Sequence, residues 1–260
     1  MELNTQKEYI MFRGFIIQSL NISGIDYELA KATQETRGAE ILDKLKEYIV
    51  YQDRIDASEM QENWFPLVDA NVFISHSHKD IRTATLLAGY LEEKLGLSPF
   101  IDSYLWGYSM NLLNLLKERF PPKNESELLW MSSNVNMMLS TALSMMIDKC
   151  ECLFFYNTPN SLSMDTYLSK TMSPWIYHEL SISKLIKKRP RLEHREQQIN
   201  FAMIKEAAEF EYTVDLGHMK RLSADTIKKW VNEAKSKSKF GQDTLDILYR
   251  LLPSKKLLFS

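Results

Sequence analysis

The sequence predicts an α/β protein built on a mainly parallel sheet with helices on both faces. Two observations carry that expectation. From residue 71 onward, short runs that are apolar almost throughout, Val72-Phe73-Ile74-Ser75 and Cys152-Leu153-Phe154-Phe155-Tyr156, alternate with longer stretches whose apolar residues recur at helical spacing. Polar loops follow the ends of those runs, which is where an open parallel sheet binds its ligands. Strand, helix, short strand, helix, helix, strand, helix and strand in that order favours parallel pairing through helical crossovers.

Residues 1–66 read as a helical N-terminal extension. Phe12, Phe15, Ile16 and Leu20 form one stripe and Ile41, Leu45, Tyr48 and Ile49 another, with Gly24 and Gly38 as breaks and Phe65-Pro66 as the exit. Val72–Ser75 is then a strand buried on both faces, and Ser77-His78-Lys79-Asp80 has the spacing of a capping box with Asp in place of Glu. Ala84, Leu87, Ala88, Leu91 and Leu95 make an amphipathic helix closed by Gly96. Pro99-Phe100-Ile101 is a very short strand. A polar and aromatic loop, Asp102-Ser103-Tyr104-Leu105-Trp106-Gly107-Tyr108, leads from it into a helix over Ser109–Arg119.

Pro121–Glu127 reads as a polar insertion, and Val135, Met138, Leu139, Ala142 and Met146 mark the long helix after it. The chain holds 13 methionines, a content that points to adaptable core packing. Cys152–Tyr156 is the strongest strand signal, stopped by Asn157-Thr158-Pro159. After the Ser161–Lys170 loop, Ser173 followed by Pro174 is a helix start, a hydroxyl N-cap and then a proline whose missing N–H costs nothing there. Phe210-Glu211-Tyr212-Thr213-Val214 alternates like an edge strand. One helix opening at Ser223 and another over about Asp243–Leu252 close the chain, so residues 216–260 are expected as C-terminal helices packed on the preceding unit.

A chain of 260 residues with 45% hydrophobic and 25% charged residues has the composition of a globular protein able to bury a real core. The formal net charge of −2 gives no reason to expect nucleic acid or an anionic membrane surface as a partner. No apolar run is long enough to span a bilayer, and the acidic, polar start Met1-Glu2-Leu3-Asn4 is unlike a secretory leader. A cytoplasmic location is expected. Cys150 and Cys152 are separated by one residue, and a disulfide between them is not expected.

One residue breaks the pattern. Glu179 lies four positions after Trp175, three before Ile182 and seven before Ile186, a lone carboxylate in an otherwise aromatic and aliphatic row. Such a group must be paired, protonated or set at the edge of a cavity. On the residues alone, a partly exposed carboxylate at the rim of a packed helix satisfies the same pattern. Other chemistries find less support. Neither a Gly-x-Gly-x-x-Gly fingerprint nor a phosphate loop is present, which argues against an NAD-dependent oxidoreductase. His76, His78 and His178 lack metal-ligand spacing, and a Gly-x-Ser-x-Gly elbow is missing, so no metal site and no serine hydrolase is expected.

Three stretches carry a resemblance. Val72–Asp80, with its Ser75-His76-Ser77-His78-Lys79-Asp80 end, resembles the opening strand and loop of TIR (Toll/interleukin-1 receptor) domains. Phe100-Ile101-Asp102 followed by Trp106-Gly107 is similar to the family's second strand and BB loop. Ser173-Pro174-Trp175-Ile176-Tyr177-His178-Glu179-Leu180 is similar to the Ser-x-Trp-x-x-x-Glu-Leu signature of its NAD-cleaving members. The resemblance covers about residues 70–215. It implies a flavodoxin-like fold and, with Glu179 as catalytic carboxylate, cleavage of the nicotinamide–ribose bond of NAD, which is substrate here and not cofactor. It further implies that Ser75, His76 and Ser77 line the pocket floor, that Asp102, Trp106 and Ser109 belong to a mobile loop completing the site between self-associating subunits, and that Trp175 lines the pocket or packs beneath the sheet.

Stand-alone TIR proteins of this kind, such as those of Thoeris antiphage systems, convert NAD into an ADP-ribose-derived signal, cyclic in some cases, that activates a separate effector. The same resemblance also admits a non-catalytic TIR scaffold, and the related fold admits a nucleoside deoxyribosyltransferase-like enzyme with a carboxylate nucleophile. The chain departs from the family pattern at Ile176, where receptor-type members often carry Cys, and at the insertion over Pro121–Ser133.

Overall fold

The computed structural model describes residues 12–18, 20, 22–51, 70–164, 169–186, 212–213 and 216–253. In chain order its strands are β1 (Arg13–Ile17), β2 (Val72–Ser75), β3 (Pro99–Ile101), β4 (Cys152–Tyr156), β5 (Ser163–Met164), β6 (Ser169–Thr171), β7 (Tyr212–Thr213) and β8 (Lys220–Arg221). Its helices are α1 (Tyr27–Tyr51), α2 (Ile81–Leu95), α3 (Ser103–Arg119), α4 (Glu125–Lys149), α5 (Pro174–Leu185), α6 (Ala224–Ser236) and α7 (Asp243–Leu251).

Five strands form one all-parallel sheet in the order β3-β2-β4-β1-β8. With helices on both faces, this is an α/β architecture consistent with a flavodoxin-like fold. Such folds order their strands 2-1-3-4-5. Here β2, β3, β4 and β8 take the first, second, third and fifth roles, and the fourth is filled by β1 from the N-terminal side.

Side chains of successive strand residues point to opposite faces, so two cores result. Phe15, Ile17, Val72, Ile74, Cys152 and Phe154 face α2, α6 and α7, where Trp230 is fully buried and donates its indole N–H to the Thr244 carbonyl at 2.6 Å. Ile16, Phe73, Phe100, Leu153 and Phe155 face α3, α4 and α5. Each fully buried large apolar side chain contributes about 1.5–3 kcal/mol, and these strands bury them on both sides. Cys150 and Cys152 are free thiols belonging to opposite cores.

Several local expectations change. The stripe Phe12, Phe15, Ile16 and Leu20 is not helical: Arg13–Ile17 is strand β1 in the sheet interior. A strand buried on both faces has no periodicity of its own, and a short apolar run satisfies helical spacing by accident. Gly38 does not break a helix, since α1 runs through it, whereas Gly24 takes φ +76° just ahead of that helix. The expected loop over Asp102–Tyr108 is instead the start of α3. No proline lies in that stretch, one internal glycine costs a helix only about 1 kcal/mol, and the Tyr104 hydroxyl is anchored to the Thr85 hydroxyl at 2.9 Å. Much of the insertion over Pro121–Ser133 is likewise the first turns of α4, with Asn124 as N-cap accepting from the Glu127 N–H at 2.9 Å. Tyr212–Thr213 pairs with β6 in a small antiparallel sheet, β5-β6-β7, rather than at the edge of the main one. Ser77 precedes a 3-10 turn without capping it through its side chain.

Helix α1 covers the edge strand. The Pro99 carbonyl of β3 accepts from Gln34 Nε2 at 3.4 Å and Arg37 Nη1 at 2.9 Å, and Arg37 pairs with Glu92 of α2 at 2.7 Å. Edge carbonyls satisfied this way are closed to further strand pairing. At the other side of the sheet the Arg13 guanidinium donates to the Tyr249 and Leu252 carbonyls at 3.1 Å each, tying β1 to α7.

Candidate active site

The register of the sheet builds the site. Ile74 of β2 lies opposite Ile101 of β3, so the residues that leave the carboxyl ends of these strands, Ser75-His76 and Asp102-Ser103, emerge side by side. The His76 imidazole is buried between the other two side chains. Its Nε2 is 3.0 Å from Ser103 Oγ, and its Nδ1 is 3.3 Å from Asp102 Oδ1 without the alignment of a hydrogen bond. Ser75 Oγ is buried without a hydrogen-bond partner among the described residues.

Helix α5 brings Glu179 to this cluster. Ser173 caps it, its Oγ accepting from the Ile176 N–H at 3.3 Å, with Pro174 at the first turn. The neighbouring residue His178 pins the helix to α4: its Nε2 lies 3.0 Å from both the Ser140 carbonyl and Ser144 Oγ. Burial lowers the pKa of His178, with the Ser140 carbonyl acting the other way. One turn on, Ser183 Oγ contacts His218 Nε2 at 2.9 Å. Held at these points, α5 turns Glu179 inward.

Glu179 is 0% exposed, and neither of its oxygens has a hydrogen-bond partner among the described residues. It is therefore not the rim carboxylate that the residue pattern alone also allowed. Its pKa is raised well above the ordinary carboxylate value, first by burial and next by the charge of Asp102; the nearby Ser75 hydroxyl acts in the opposite direction without closing a hydrogen bond. Most buried polar groups in folded proteins find partners, so a sealed carboxyl with none marks a site whose purpose is not structural economy.

The remaining expected site residues are placed differently. Ser77 is half-buried at the 3-10 turn and is not in the cluster. Trp106 and Ser109 lie on α3, not on a loop, and their side chains fall outside the described residues. Trp175 is half-buried and packs against the core on the α3–α5 face. Thus Ser75, His76, Asp102 and Glu179 come together, and Ser103 joins them unforeseen. The only hint of Ser103 in the sequence is its place beside Asp102 at a strand end.

The atoms of Ser103, His76 and Asp102 stand in the sequence of a Ser–His–Asp relay. Ser103 and His76 are both buried, as Glu179 is. A second link escaped the sequence reading. Asp80, after β2, accepts from Thr158 Oγ1 at 2.5 Å and Asn160 Nδ2 at 2.9 Å, tying the loops after β2 and β4 across the point where strand order reverses. Among the described residues no cluster of three or more His, Cys, Asp or Glu is arranged to hold a metal, and no helix is long and apolar enough to cross a membrane. A shallow groove of about 440 Å³ at the α3–α4 turn, lined by Phe120, Pro121, Pro122, Trp130 and Met131 among others, shares no residue with the Glu179 cluster.

The fold and this cluster define an α/β protein with a fully buried carboxyl, its pKa raised by burial, at the carboxyl edge of a parallel sheet. Compared with protein-family models, with curated proteins and with solved structures, the chain matches none of them.

Proposed function

We propose that the chain is an enzyme that cleaves the nicotinamide–ribose bond of NAD, with Glu179 as the catalytic carboxylate, and that the product is an ADP-ribose-derived signal acting on a separate effector in antiphage defence. The observation that carries this reading is the sealed, unpartnered Glu179 carboxyl beside Ser75 and Asp102, in a stretch that resembles the glutamate signature of NAD-cleaving TIR proteins. Breaking an N-glycosidic bond to a cationic nicotinamide leaves an oxocarbenium-like ribose. A carboxylate in a dry, low-dielectric site stabilises that charge far more than it would in water. Since Glu179 is sealed, substrate reaches it only by displacing what covers it.

The test is NAD consumption and product mass for wild type and Glu179→Gln, at high protein concentration to permit self-association. Loss of NAD with wild type alone supports the reading, and the product mass separates hydrolysis from cyclisation. Equal loss with both variants removes Glu179 from the mechanism. A second reading, a TIR-like interaction module, is favoured by the closed site together with Leu129 and Trp130, which are 60% and 70% exposed on α4. It gains if neither variant consumes NAD under any condition, lysate of phage-infected cells included.

A further inference from the structure

We propose that His178 is a positioning residue for Glu179: its Nε2–H, donated to α4, fixes the rotation of α5 about its own axis and so the direction in which the Glu179 carboxyl points. This rests on Glu179 being the catalytic carboxylate. The need for such a device follows from Glu179 itself. Its side chain is fully buried, and neither oxygen has a hydrogen-bond partner among the described residues, so no bond of its own aims it. The backbone of α5 must do so. Ile176 and Leu180 of α5 share an apolar core with Leu139, Ala142 and Leu143 of α4, but apolar contacts are non-directional and tolerate a small roll of one helix on the other. Ser173 acts within its own turn, and Ser183 meets His218 a turn beyond Glu179. His178 is the sequence neighbour of Glu179 and bonds to a different helix.

The bond is directional and has two anchors. Nε2 lies 3.0 Å from the Ser140 carbonyl and 3.0 Å from Ser144 Oγ. A carbonyl only accepts, so in the neutral ring, which burial favours, the hydrogen sits on Nε2. Ser144 Oγ gives its own hydrogen to the same carbonyl at 2.8 Å, leaving its lone pairs for the Nε2–H. Successive helix residues are set about 100° apart, so a tether at 178 opposes the rotation that would swing 179. With a side-chain tip about 5–6 Å from the helix axis, a roll of about 10° moves the carboxyl by about 1 Å. A misplacement of about 1 Å at a reacting group costs on the order of 100-fold in rate.

NAD cleavage by wild type, His178→Leu, His178→Gln and Ser144→Ala, each well below its unfolding temperature, tests the role. Leucine fills the place of the imidazole without a donor, whereas the glutamine amide donates from nearly the same reach as Nε2. In His178→Leu, kcat is expected to fall on the order of 100-fold with KM nearly unchanged, and His178→Gln to recover most of that loss. Ser144→Ala removes one of the two anchors and gives an intermediate loss, which keeps the test alive if His178→Leu fails to fold. Wild-type kcat in His178→Leu or in Ser144→Ala, a His178→Gln as impaired as His178→Leu, or a loss carried by KM overturns the proposal. Carbodiimide labelling of carboxyls in the folded proteins, read by mass spectrometry, follows Glu179 without turnover, with Glu151, also buried, as the reference for general loosening. Glu179 is expected to label faster in His178→Leu than in wild type or His178→Gln, with Glu151 unchanged. Absence of turnover in wild type overturns the enzyme reading. Equal labelling of Glu179 in wild type and His178→Leu, or a parallel rise at Glu151, overturns the positioning role separately.

Discussion

Replacing Glu179 by glutamine keeps the shape of the side chain and removes its proton, which makes stability against pH a direct reading of the buried acid. In the folded protein the Glu179 pKa is raised, by burial first and by Asp102 second, above the 4.5 of an ordinary glutamate. The sign follows from which state holds the proton more tightly. Below pH 4.5 both states are protonated, and the full contribution of the buried neutral acid is present. As pH climbs from there toward the raised folded value, the unfolded chain releases its proton while the folded one keeps it, so stability falls. The slope for one proton is about 1.4 kcal/mol per pH unit. Glutamine cannot titrate, so Glu179→Gln should gain on wild type by that amount for each unit in the window. For a chain of this size each kcal/mol corresponds to about 2–4 °C in Tm. The assay is urea or thermal unfolding of both proteins in steps of half a pH unit from 4 to 8, with the slope assigned to the Glu179–Asp102 pair. Parallel curves across that range would falsify a raised Glu179 pKa in the folded protein.

Two further outcomes test the packing that sets up the site. A Cβ on Gly89 of α2 would lie 2.7 Å from the Ala30 Cβ and 2.9 Å from Ile25 Cγ2. Gly89→Ala should therefore cost about 1–3 kcal/mol of overpacking, partly offset by helix propensity, and speed amide exchange in the first turns of α1; pairing it with Ala30→Gly should remove the Ala30 clash but not the Ile25 one, so the urea midpoint stays below wild type. Ser173→Ala removes the cap of α5 and should cost about 1 kcal/mol in urea unfolding, with Glu179 titrating closer to an ordinary glutamate as the helix start loosens.

How much of this could be read beforehand depended on how local the signal was. Gly96, with φ +63°, ends α2 where a left-handed residue was needed, and Ser173 caps α5 as its hydroxyl and the following proline imply. Those are contacts between near neighbours. Phe15 gave no such clue, because its partners, Phe154 and Tyr249, come from the far side of the chain and the run around it has no period. Glu179 was legible as a residue that needed an explanation, whereas Asp102 entered only through the family resemblance. That His76 sits between Ser103 and Asp102 was not legible, because it depends on the register of β2 against β3. Trp106 was assigned to a loop from its polar and aromatic neighbours, although nothing in that stretch forbids a helix.

The place of β1 has a consequence for how the molecule is assembled. Its hydrogen-bonding partners are β4 and β8, and among the described residues β8 joins the sheet only through it. Neither pairing is local, so closing the sheet means ordering very long stretches of chain before any strand contact rewards it, which slows folding. The strands β2, β3 and β4 that frame Glu179 can meet through crossovers of ordinary length. The segment Arg13–Ile17 then acts as a keystone, the first of these strands to be synthesised and among the last to be seated. Drawing it out would part β8 from β4 while leaving the strands around Glu179 paired with one another.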